Sequence, residues 1–242
     1  MPLPKIVTQE FSLELPSTGK SIKYRPFLVK EEKILLIALE SKDVKQITSA
    51  IKQILKACIL TRNIKVEELP TFDIEYIFLN VRGKSVGESI DLIVTCADDG
   101  ETQVPVTIFI DQIQVVKNPN HTQDISLGSD LILRMKYPSL EEFINNNFEF
   151  TQENSVANID RSLEIISSCM DVVFSEDESW SAKDCSKKEL MDYIETMTNS
   201  QFSAIENFFQ TMPVLSYEFE VVNPKTKVKN AVQLKGLTSF FT

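Results

Sequence analysis

Ser89-Ile90-Asp91-Leu92-Ile93-Val94-Thr95-Cys96 runs into Ala97-Asp98-Asp99-Gly100, and Glu101–Ile110 follows. Two β-rich runs on either side of an Asp-Gly step read as an antiparallel hairpin, because Asp and Gly accept the positive φ that a tight turn demands. Upstream, Phe11, Leu13 and Leu15 alternate with Ser12 and Glu14. Pro16-Ser17-Thr18-Gly19 then turns the chain into a return strand, Ser21–Phe27, so a second hairpin is predicted at the N-terminus. Between the two hairpins the period changes from two to three and four. Lys30–Glu40 carries Ile34, Leu35, Ala38 and Leu39 on one face. After Ser41 and Asp43 as capping residues, Val44, Ile47, Ile51, Ile54, Leu55 and Cys58 repeat at helical spacing. A third helix is expected from Thr71 or Asp73, burying Tyr76, Ile77, Leu79 and Val81 and stopping before Gly83.

Downstream, Gln123–Leu127 and Asp130–Tyr137 bracket Gly128-Ser129 as a further strand pair. Helices follow: a short one at Leu140–Asn147 and a longer one over Ser155–Phe174, with Ile159, Leu163, Ile166, Met170 and Val173 in one stripe. Ser175–Asp184 is a polar interruption that holds Trp180. Ser186-Lys187-Lys188-Glu189 is a capping box, in which a serine hydroxyl and a glutamate carboxylate satisfy each other's backbone amides at a helix start. Thr198-Asn199-Ser200 restarts a helix that carries Phe202, Ile205, Phe208 and Phe209 to Pro213. Val214–Val222 and Val228–Leu234 close the chain as a hairpin around Asn223-Pro224-Lys225-Thr226. Strands and helices come in blocks rather than in βαβ alternation, which makes the class α+β. Tyr137-Pro138-Ser139 ends a strand and caps a helix, so the chain is expected to divide into residues 1–137, with hairpins and helices, and 138–242, mainly helical with the closing hairpin.

Composition narrows the function classes. Of 242 residues, 43% are hydrophobic and 25% charged, the balance of a globular chain rather than a disordered one. The net charge of −10 opposes phosphate backbones and anionic lipid, so neither nucleic acid nor membrane is an expected partner. Ile34–Leu39 is too short to span a bilayer, and Met1–Glu10 lacks the apolar core of a secretion signal. The four cysteines, Cys58, Cys96, Cys169 and Cys185, form no short pair, which points to a reducing compartment and to Cys58 and Cys169 as small buried hydrophobes.

Catalytic chemistry needs a constellation, and none assembles. His121 is the sole histidine and reads as a solvated loop residue among Asn118, Pro119 and Asn120. With six glycines the chain has neither a phosphate loop nor a nucleophile elbow. No catalytic residue, cofactor site or metal site is assigned. Cys96-Ala97-Asp98-Asp99-Gly100 occupies the place of a Cys-x-x-Cys zinc knuckle, but Asp99 stands where the second thiol belongs and no second pair exists. The turn is expected to rest on Asp-Gly geometry alone, and Cys96→Ser to be nearly neutral.

Three groups of strings carry a family resemblance. They are Leu15-Pro16-Ser17-Thr18-Gly19-Lys20 with Tyr24-Arg25-Pro26-Phe27-Leu28-Val29-Lys30-Glu31-Glu32-Lys33; Leu69-Pro70-Thr71-Phe72-Asp73-Ile74-Glu75-Tyr76 with Val81-Arg82-Gly83-Lys84-Ser85-Val86-Gly87; and Phe208-Phe209-Gln210-Thr211-Met212-Pro213 with Gly236-Leu237-Thr238-Ser239-Phe240-Phe241. In order and spacing the chain resembles, over nearly its whole length, the baseplate-hub assembly proteins of T-even-type contractile-tailed phages. The resemblance implies a small viral protein that assembles the central hub of the tail baseplate, as an assembly factor or a hub component. Other tail or baseplate-hub proteins are then its partners. It would work in the host cytoplasm during assembly, or sit in the virion tail baseplate. A virion-resident structural adaptor is the alternative, and a degenerate zinc-ribbon binding protein a second one. Relatives often carry Cys-x-x-Cys pairs at the second and closing hairpins, and this chain departs at both, at Asp99 and at Val222–Thr226.

Adjacent aromatics are the candidate docking residues, since aromatic anchors dominate interfaces. Neighbours on a helix point about 100° apart, so Phe208 and Phe209 either share a broad apolar face or place one ring on a partner. Leu237, Phe240 and Phe241 fall within one turn at the C-terminus, to be docked on the helical module or on a hub protein.

Overall fold

The computed structural model describes residues 6–41, 43–139 and 156–240. The fold is α+β, as the block pattern predicts, and it forms two compact units. One comprises the chain to Val116 and from Val214 onward, the other Lys117–Pro213.

In the first unit β1 (Phe11–Glu14) and β2 (Ser21–Tyr24) form the N-terminal hairpin, with Leu13 opposite Ile22. Helices α1 (Val29–Ser41) and α2 (Val44–Cys58) follow, the latter capped by the Asp43 side chain on the Lys45 amide. Helix α3 (Thr71–Val86) is the centre of this unit: Phe72, Ile74, Ile77, Phe78, Leu79 and Val81 are all buried. It runs through Gly83, where the sequence suggested a stop. That glycine lets the helix approach Ile110, whose Cδ1 would lie 3.0 Å from a Cβ at this position. The helix ends instead at Gly87, which adopts φ 145°. Asp73, fully buried, accepts from the Ser17 amide at 3.0 Å and from its hydroxyl, tying the first turn to α3.

The deciding hairpin is β3 (Ser89–Thr95) with β4 (Gln103–Phe109), in register from Ser89–Phe109 to Thr95–Gln103. A short strand that sequence reading missed, β5 (Gln114–Val116), pairs with β10 (Val214–Val222), which in turn pairs with β11 (Lys229–Lys235). That pairing brings the closing hairpin back to the N-terminal part of the chain.

The second unit holds the four-stranded sheet β6 (Asp124–Gly128), β7 (Leu131–Met135), β8 (Met170–Phe174) and β9 (Ser179–Ser181), antiparallel and in that order. Its described helices are α4 (Val156–Cys169), α5 (Lys187–Glu195) and α6 (Asn199–Thr211). The core joins Ile125, Leu133, Met135, Ile166, Ile205 and Phe208.

Two expectations are corrected here. The helix read over Ser155–Phe174 ends at Cys169, and Met170–Phe174 is strand β8, because Val172, Val173 and Phe174 pair with β7. The division expected between Tyr137 and Pro138 does not follow the compact units: β8 and β9 complete the sheet that β6 and β7 begin, while β10 and β11 belong with β5. The short helix expected at Leu140–Asn147 lies outside the described residues.

Candidate protein-docking site

Unit two carries an open apolar cleft of about 340 Å³. Strand β7 contributes Leu131, and β8 contributes Met170, Val172 and Val173. Helix α5 faces them with Leu190 and Tyr193. Trp180, on the outer strand β9, stands at the cleft with 47% of its surface exposed. The Ser186–Glu189 capping box appears as expected, with the Ser186 amide donating to Glu189 Oε2 at 2.7 Å. It fixes the start of α5 and directs Glu189, the one carboxylate among the described lining residues, at the helix backbone. Cys185 also lines the cleft and is exposed, whereas Cys58, Cys96 and Cys169 are buried.

The residues expected to dock a partner lie elsewhere. Phe208 is 1% and Phe209 4% exposed, so both rings are core. They meet edge to face at 5.1 Å, and Phe208 stacks on Tyr137 at 5.7 Å. A broad buried arc of α6 takes both neighbours, and neither offers a surface to another protein. Phe240 is 1% exposed and belongs to the first unit rather than to the helical part of the chain. Gly236 makes the bend that leads to it, at φ 69°, with its amide donating to Leu215 O at 2.9 Å. Phe241 lies outside the described residues, and Leu237 begins a short 3-10 turn that ends at Phe240.

His121 is not a solvated loop residue. Thr211 donates its hydroxyl proton to Asn207 O at 2.6 Å, so toward the ring it accepts, and Nδ1–H donates to it at 2.9 Å. Nε2 is then the acceptor for the Tyr137 hydroxyl at 3.0 Å. The ring stacks on Tyr137 and lies 5.1 Å from Phe208. Burial lowers its pKa. The imidazole spends both nitrogens on the Thr211 and Tyr137 hydroxyls, and these hydrogen bonds organise the core.

The turn of β3 and β4 is held by more than its own geometry. Asn223, fully buried at the start of the closing turn, donates Nδ2 to Asp98 Oδ1 at 3.0 Å and to Asp99 Oδ2 at 3.0 Å. The Asp98 amide donates to Asn230 Oδ1 at 2.9 Å, and the Thr226 hydroxyl donates to Asp98. Asp99 also accepts from the Thr102 amide at 2.9 Å and from its hydroxyl. The Asn223 amide, then the Thr226 hydroxyl, lower the Asp98 pKa; the Thr102 hydroxyl and amide, then Asn223, hold Asp99 well below the usual carboxylate range. Cys96 is buried behind the turn, which raises its thiol pKa. Where a knuckle would use thiolates, this chain clasps two turns with an amide between two carboxylates. Among the described residues no group of three or more His, Cys, Asp or Glu side chains is placed to hold a metal ion.

A family model described as T4 bacteriophage base plate protein matches residues 8–242. The chain belongs to this family. No curated protein and no solved structure matches it. Membership gives this base plate protein a structural or assembly role in the phage baseplate and implies contacts with other baseplate proteins. None of its described helices is long and apolar enough to cross a membrane. The cleft of this base plate protein escaped sequence reading because its walls come from β7, β8, β9 and α5 together. The available signal was Trp180, a large aromatic inside a polar segment.

Proposed function

We propose that this base plate protein builds the central hub of the baseplate through protein contacts and without catalysis, as an assembly factor acting in the host cytoplasm. The observation that carries the reading is the open apolar cleft of unit two with a half-exposed tryptophan at its edge, since soluble chains keep such surface mainly where a partner covers it. The lone histidine, spent on core hydrogen bonds, supports a non-enzymatic role. A virion-resident adaptor is the second reading, supported by the same family membership. Affinity capture of the tagged full-length protein from infected cells, followed by mass spectrometry, is the test, with purified virions probed in parallel. Hub proteins in the capture and no signal in virions support the assembly factor. Signal in virions supports the adaptor, and a capture free of tail proteins refutes both.

A further inference from the structure

The surroundings of the cleft are as informative as its walls. Between Asp171 and Glu195 the chain carries eight carboxylates against three lysines, half of its net charge of −10 in about a tenth of its length. Glu176, Asp177 and Glu178 form the exposed turn between β8 and β9, two residues from Trp180. Of the lysines, Lys187 is paired with Glu164 of α4 at 2.8 Å. An apolar slot in a strongly negative surround draws positive charge to its rim while its floor rejects charge. A second copy of this chain would bring the same negative rim, and nucleic acid or anionic lipid would bring phosphates; all three are repelled.

Beside the cleft, β9 borders the four-stranded sheet, and no described strand pairs with its outer side. Edge backbone of this kind accepts an extended segment. We infer that the cleft receives a bulky aliphatic or aromatic side chain from an extended segment of a partner protein, with lysines or arginines flanking that anchor. The anchor rests on Val173, Leu190 and Tyr193 against the Trp180 ring, and the flanking cations meet the Glu176–Glu178 turn. This deepens the docking function proposed above and rests on it for the identity of the partner, though not for the chemistry of the cleft.

Trp180 is the only tryptophan, so its emission reports the cleft in the intact protein. The probes are three capped hexapeptides: Lys-Lys-Phe-Leu-Lys-Lys, Glu-Glu-Phe-Leu-Glu-Glu and Lys-Lys-Ser-Gly-Lys-Lys. The first is expected to shift Trp180 emission saturably, with a Kd about tenfold below that of either other peptide at low salt and a preference that shrinks as salt rises. Equal response to all three, or to none, overturns the inference. Reversing the exposed turn with Glu176→Lys and Glu178→Lys is expected to leave the fold intact by circular dichroism, since both side chains are exposed. It is expected to cut the preference for the basic peptide at least about threefold; an unchanged preference overturns the inference. Alkylating Cys185, the exposed thiol at the cleft, with N-ethylmaleimide is expected to block the response. Undiminished binding after alkylation counts against the cleft as the site. Where peptides and variants behave as stated but capture from infected cells yields no tail protein, the hub role falls and the cleft's chemistry stands. Where capture yields hub proteins and the peptides do not discriminate, the reverse holds.

Discussion

Phe208→Leu separates a core role from a docking role for the aromatic pair. Phe208 is 1% exposed, so nearly all of its side chain counts as buried. Leucine has three carbons fewer, and at about 0.8 kcal/mol per buried CH₂ the loss is about 2 kcal/mol. Lost ring contacts, tilted on His121 and stacked on Tyr137, add to it, each aromatic pair contributing about 0.5–1.5 kcal/mol beyond its burial. Unit two spans Lys117–Pro213, and a domain of that size shifts its Tm by about 4–8 °C per kcal/mol. Melting followed by circular dichroism should therefore drop by about 8–16 °C from the burial loss alone. Phe208→Ala, at about 3–5 kcal/mol, should lower the melting temperature further than Phe208→Leu does. Trp180→Leu serves as the contrast: with a half-exposed ring it should melt within about 2 °C of the parent. A Phe208→Leu protein that melts with the parent but no longer captures its partners would refute the core assignment.

The other expectations are narrower. Asn223→Ala removes the amide that holds both Asp98 and Asp99 below their ordinary pKa values; depressed carboxylates stabilise the fold above their unfolded pKa and lose that contribution as pH falls, so the acid-unfolding midpoint should move to higher pH, and an unmoved midpoint refutes the clasp. His121, titrated by NMR as the sole histidine, should show a pKa below about 6.5; its neutral form is favoured by folding, so its contribution is complete above that pH and declines as pH falls toward the folded value. Gly236→Ala forces a Cβ into φ 69°, 3.4 Å from Glu75 Oε1, and should cost about 1–2 kcal/mol by chemical denaturation. Deleting residues 237–242 removes the buried Phe240 and should lower the melting temperature of the first unit rather than that of the second. Cys96→Ser, near neutral on the sequence alone, should melt measurably earlier because the thiol is fully buried.

What the chain announces locally, it builds. The Asp99-Gly100 turn, the Ser186–Glu189 box and the α2 stripe each depend on residues within a few positions of one another, and each is found where the spacing places it. What depends on distant partners was hidden. Met170 and Val173 continue the stripe of α4 well enough to prolong a helix on paper, yet Val173 pairs with Leu133 and Trp180 in the sheet. Gly83 looks like a stop until Ile110 is seen against it. The same limit governs the docking residues. Adjacent phenylalanines attract a functional reading because one helix face cannot hold two rings 100° apart, but the number of faces a helix buries is set by its neighbours. In α6 the neighbours are His121 and Tyr137, both far off in sequence, and they enclose Phe208 while Phe209 packs edge-on behind it. Trp180 shows the converse: polar flanks made it look incidental, and β8 and α5 place it at the rim of the apolar cleft.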